Sequence, residues 1–242
     1  MKSTKHLLTI ASIVLSGQFS IAQKVEVSPE VLDIEKLKMT TNSYLVYIEG
    51  PDGSVLDMSI WTREIREEDD QFIGVYQTWK NQDRSNVKTL KSLVAKDTFA
   101  PIFHQVESNE KLQAYSYQQR SVVGTDTVEN NAESDFILEL NSLSFNFELD
   151  LELLRILPYR NGVTFSIPFY HPGSNTPPKS YDYEVRGKET LSTPVGDVMC
   201  WVLTIEYSEK NAATFWISET SREFMKMEET YGPIRRCKKL LF

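Results

Sequence analysis

The sequence predicts a mainly β protein: a curved antiparallel meander that forms a half-barrel or open barrel, with one or two short helices. Three observations carry this expectation. Apolar and polar residues alternate with a period of two from Tyr44 to the C-terminus. The alternating runs are separated by turn chemistry, not by long stretches of helical period. Apolar residues make up 40% of the 242 residues and aromatic residues 11%, enough to bury a core and too much for a disordered chain.

Residues 1–22 read as an address and not as part of the fold. Lys2 and Lys5 precede an apolar stretch of Leu7, Leu8, Ile10, Ala11, Ile13, Val14 and Leu15, and Ser20 and Ala22 stand at the −3 and −1 positions of a cleavage site before Gln23. Thr9, Ser12, Ser16 and Gln18 break the stretch below the roughly 20 apolar residues that a membrane-spanning helix needs. No cysteine follows it to take a lipid anchor. Cleavage changes the charge from 26 − 34 = −8 to 24 − 34 = −10. The expected product is an acidic protein of the periplasm or the medium, peripheral to a membrane at most. Its charge excludes a basic nucleic-acid footprint.

Residues 23–242 then read as a single all-β domain. An N-terminal meander covers about residues 40–149 and a C-terminal one about residues 162–242. Leu143, Phe145, Phe147 and Leu149 alternate with polar residues, as do Trp201, Leu203, Ile205 and Tyr207. Gly50-Pro51-Asp52-Gly53, Glu67-Glu68-Asp69-Asp70, Asn161-Gly162, Ser208–Asn211 and Tyr231-Gly232-Pro233 fit hairpin turns. Between the meanders, residues 150–157 predict a helix of about two turns, with acids at its start, Arg155 near its end and Pro158 as its stop. So short a helix needs a sheet to pack on, and is expected to plug one open end. Ser28-Pro29-Glu30 with Val31, Ile34 and Leu37 would start another. Asp126–Asp135 and the proline-rich His171–Lys179 read as loops.

Signatures of chemistry are absent. There is no nucleophile elbow, phosphate loop, dinucleotide fingerprint or His-Glu-x-x-His, so no catalytic residue, metal site or cofactor is assigned. His104 and His171 are the only histidines left after cleavage, too few for a three-histidine metal site. The acidic run at residues 64–70 lacks the glycine and spacing of a calcium loop. Export would let Cys200 and Cys237 form a disulfide; two separate buried thiols are the alternative.

Aromatic residues are in surplus. Their first role is core, and the sharper one is an apolar groove on the concave side of the sheet. Phe165, Phe169, Tyr170, Tyr181 and Tyr183 flank the proline-rich loop as its rim, and Trp201 and Trp216 join them as candidate ligand-binding residues. The last strand alternates Ile234, Arg236, Lys238, Leu240 and Phe242. Two cations on that row oppose a lipid-facing barrel strand, and basic residues there read as protection of a sheet edge.

Some segments carry a resemblance. Leu153-Leu154-Arg155-Ile156-Leu157-Pro158-Tyr159-Arg160, Phe169-Tyr170, Thr193-Pro194-Val195-Gly196-Asp197-Val198, Thr214-Phe215-Trp216-Ile217, Met225-Lys226-Met227-Glu228 and Thr98-Phe99-Ala100-Pro101-Ile102 resemble exported domains of unknown function from Gram-negative envelopes. The resemblance covers most of the mature chain. It implies a half-barrel similar to the periplasmic lipoprotein carriers, which hold lipid on a concave face, and it brings no catalytic residue. Three functions follow as expectations. The first is a carrier of a lipid or other apolar small molecule. The second is an envelope scaffold that meets a protein partner, and the third, with no motif behind it, is an acid-dependent hydrolase.

Overall fold

The computed structural model describes residues 23–82, 86–109 and 111–242, so the expected signal segment and its cleavage site lie outside the described residues. Sixteen strands among the described residues join one sheet. The N-terminal meander comprises β2 (Thr41–Glu49), β3 (Val55–Glu67), β4 (Phe72–Asn81), β5 (Val87–Ala95), β6 (Pro101–Ser108), β7 (Lys111–Tyr117), β8 (Ser121–Gly124) and β9 (Ile137–Glu139). The C-terminal one comprises β11 (Val163–Tyr170), β12 (Lys179–Thr193), β13 (Gly196–Ser208), β14 (Asn211–Ser218), β15 (Phe224–Tyr231) and β16 (Ile234–Leu241). Two short strands, β1 (Gln23–Glu26) and β10 (Phe145–Asn146), run parallel to β11.

The two meanders join through β16, which pairs antiparallel with β15 on one side and with β2 on the other. This corrects the edge-strand reading of its basic residues. Opposed residues share a face of a sheet. Lys238 therefore lies in one cross-strand row with Leu203, Phe215, Met227, Val46 and Ser59, on the inner face.

The sheet closes by overlap, without a final ladder. Phe169 points into the main core, so its neighbour Tyr170 points outward from β11, where it packs on Tyr115 and Tyr117 of β7. Tyr115 stands in an inner-face row with His104, Ser92, Val75 and Ile65. The inner face of β5–β7 thus covers the outer face of β11, and the sheet is rolled like a scroll. Gly173 marks the tight point: its φ is +80°, and a Cβ there would stand 2.4 Å from the Tyr115 hydroxyl.

The predicted helix is α1 (Asp150–Arg155), and it lies inside the roll, with Leu151, Glu152, Leu153, Leu154 and Arg155 all buried. Enclosure replaces the length that a free helix would need. The residues before it depart from the strand that their alternation suggests. After Asn146 the chain turns inward as a 3-10 turn, Phe147–Leu149, and the Asn146 side chain accepts the Glu148 N–H. The segment near Pro29 forms two 3-10 turns, Pro29–Val31 and Ile34–Lys36, in place of a helix. Asn161-Gly162 leads from α1 into β11 and closes no hairpin; the other four turns do join antiparallel strands.

Candidate functional site

An arginine–carboxylate fork fixes the helix in the roll. Arg63 of β3 donates from Nε to Glu152 Oε1 at 2.9 Å and from Nη2 to Glu152 Oε2 at 2.5 Å. Its Nη2 also reaches the Glu148 carbonyl at 2.8 Å, and Gln77 Nε2 donates to the same oxygen at 3.0 Å. Bidentate geometry, with the guanidinium donating further to a backbone carbonyl, is what makes a buried pair tolerable. It also holds Glu148 and Asp150 in place on the adjoining turn.

The aromatic residues anticipated as a groove do not stay together. Phe165, Phe169 and Tyr183 face inward but are fully packed into the core. Tyr170 is on the outer face, in the overlap. Trp216 is also outside, because its neighbour Phe215 is the inward residue, and its Nε1 donates to Glu189 Oε2 at 3.1 Å. Trp201 faces inward and stacks on Tyr159 at 5.6 Å, six residues and about 20 Å along β13 from Tyr207. Tyr181 alone is a half-buried member of an inward-facing lip.

That lip is completed by residues that alternation did not single out. The ring centroid of Phe147 is 4.0 Å from that of His171 and 5.6 Å from that of Tyr181, and Tyr181 is 5.9 Å from Tyr207. His171 Nε2 and the Tyr181 hydroxyl share a hydrogen bond of 3.0 Å. Behind the lip, Asp150 is the charge that His171, Tyr183, Tyr207 and Lys238 all sense.

The electrostatics of this mouth are unbalanced. Arg63 has Glu152 and Arg236 has Glu229, but among the described residues Lys238, Glu148 and Asp150 have no ion-pair partner within 4.0 Å. Lys238 is 5% exposed, its Nζ 4.3 Å over the ring of Trp61. Burial depresses its ammonium to about 7, with Asp150 opposing that shift. Burial also raises the carboxyls of Glu148 and Asp150 above the usual carboxylate range. The Tyr183 hydroxyl, buried and facing that of Tyr207, has no partner in hydrogen-bond geometry.

The disulfide is corrected: Cys200 and Cys237 are both buried free thiols. They lie on β13 and β16 with β14 and β15 between them, and Cys237 is level with Thr204, not Cys200, so their backbones are more than about 14 Å apart. A disulfide bridges Cα atoms only up to about 7 Å.

Comparison with solved structures places the fold among barrel-like proteins. A β-barrel-like protein of domain of unknown function DUF1849 from Brucella abortus aligns with a TM-score of 0.53 at 9% identity, covering 83% of this chain and 94% of its own. A protein from Bacteroides fragilis described as exported, with a YmcC-like fold, aligns at 0.35 and 8% identity, covering 83% and 92%. One from Parabacteroides distasonis described as a lipoprotein aligns at 0.35 and 9%, covering 85% and 96%. Comparison with curated proteins finds no match. Residues 43–236 match the profile of DUF3108, a family described as proteins of unknown function, and the chain belongs to that family.

Proposed function

We propose that this protein is an exported envelope protein that binds a lipid or other amphipathic ligand at the open mouth of its rolled sheet. One observation carries the reading: the half-buried aromatic lip of Phe147, His171, Tyr181 and Tyr207 lies close to Asp150, which has no ion-pair partner within 4.0 Å among the described residues. Apolar walls with a few convergent polar groups are the usual form of a small-molecule site. The depth of the roll is taken by α1, so the ligand sits at the mouth and does not thread the barrel. Export rests on the residues 1–22 pattern.

A scaffold without a small ligand is the second reading, favoured by the packing of Phe165, Phe169 and Tyr183 into a filled core. The two part on one measurement: organic extraction of the full chain purified from the envelope, followed by mass spectrometry. A carrier yields lipid in near-stoichiometric amount, and an empty protein that also takes up no added lipid supports the scaffold.

A further inference from the structure

β1 brings the chain into the sheet at an edge. Its four residues, Gln23–Glu26, run parallel to β11 at one end of the strand order, in register from Gln23 against Val163 to Glu26 against Ser166. Val27, one residue further on, is buried and donates its N–H to the Ser166 carbonyl at 2.8 Å. Lys24 reaches across the sheet to Asp182 at 3.0 Å. The strand is therefore tied down at its inner end, while Gln23 and Lys24 stand exposed at its outer one. An edge strand held in this way comes loose from its first residue.

The export reading places cleavage immediately before Gln23, and the inference drawn next rests on that reading. Cleavage there gives a free α-amine to a glutamine, whose side-chain carboxamide can reach its own backbone nitrogen. An α-amine ordinarily titrates at about 7.7–8.0, so near neutral pH part of it is uncharged and nucleophilic. Attack of that nitrogen on the side-chain carbonyl carbon closes a five-membered lactam. The new C–N bond forms as the bond to the carboxamide nitrogen breaks, and that nitrogen leaves as ammonia with a proton from the amine. The step needs no oxidant, metal or second substrate. Gln23 is exposed, so packing does not hold its side chain away from the backbone nitrogen. We infer that Gln23 is a modification site, at which the mature N-terminus is closed as pyroglutamate. The lactam removes the terminal charge, and with it the free amine from which an aminopeptidase starts. Lys24 and the residues after it are untouched by the ring, so the bond to Asp182 is kept.

Intact mass and N-terminal sequencing test this on the full chain, exported by its own leader and taken from freshly lysed cells. The expected mass is that of residues 23–242 less one ammonia, about 17 Da. No terminus should be readable until pyroglutamyl aminopeptidase opens the chain at Lys24-Val25-Glu26. Gln23→Ser should give the unreduced mass for its sequence and be readable directly. A chain that starts at Gln23 with full mass and a readable terminus overturns the modification and leaves export standing. A lactam that is absent at lysis and accumulates only on storage does the same. A chain that starts elsewhere overturns the modification together with cleavage before Gln23, and one that retains residues 1–22 overturns export as well. The presence or absence of co-purified lipid bears on the carrier reading alone.

Discussion

The indole rings of Trp61 and Trp79 lie parallel, 3.8 Å apart and 3° from coplanar, on neighbouring strands. Lys238 covers the free face of Trp61, and Lys88 that of Trp79, at 4.2 Å. Each indole N–H is spent on its own strand, Trp61 on Ser59 and Trp79 on Gln77. The four side chains form a cation–ring–ring–cation stack along the inner wall. Stacked indoles couple their transitions, so the far-ultraviolet circular dichroism should show a couplet that Trp79→Phe abolishes. Trp79→Ala should also cost about 2 kcal/mol in urea unfolding, from lost stacking and burial.

The Arg63–Glu152 fork predicts an asymmetry. Glu152→Ala leaves a buried guanidinium without its anion and should destabilise by about 3–5 kcal/mol. Replacing both, as Arg63→Met with Glu152→Met, should recover most of that loss. Equilibrium unfolding of the two variants checks it, and a double variant no better than the single one contradicts the account.

Lys238 predicts a pH signature. Its ammonium titrates near 7 in the folded protein and near 10.5 in the unfolded chain. Between those values the unfolded state holds one more proton, so this residue makes stability rise with pH across the window. Below it the penalty is present in full. Lys238→Met should therefore stabilise most at pH 6 and progressively less toward pH 10, as read from melting temperatures across that range.

His104 governs the acid side. Buried and bonded through Nδ1 to the Ser92 hydroxyl at 2.9 Å, it titrates near 3 against 6.5 when unfolded. The unfolded chain binds its proton first, so stability falls as pH drops from 6.5 toward 3. His104→Gln should flatten that fall in acid titrations of stability.

A thiol count under denaturing, non-reducing conditions should return two free thiols per chain. A count of zero would mean that the two strands have a different register or order.

The strands were legible because each one writes its own period. The alternation of Trp201, Leu203, Ile205 and Tyr207 is local and survives any tertiary arrangement. The pairing of β16 with β2 was not legible, since it joins residues as far apart as Glu49 and Arg235, and no local pattern records a partner. Lys238 and Arg236 were misassigned for that reason: cations on a strand look like edge or solvent residues until both neighbours are known. The alternation of Leu143 to Leu149 misled in another way, because the same apolar positions suit a chain that turns inward to start a buried helix. Of the mouth, Tyr181 was visible as part of an aromatic surplus. Asp150 was visible only as a helix-start acid, and Tyr207 and Phe147 only as inward positions of a strand.

The seam between β2 and β16 also sets an order of events. Arg235 clasps Glu49 at a sequence separation of 186, and the strands between them must all be laid down before the seam can close. Contacts of such separation form late and slowly. Until that strand arrives, the first half of the chain keeps the β2 edge bare, a template for wrong partners. Assembly of this protein should be limited by arrival of the strand that carries Lys238, so the two meanders become one sheet only at the final step.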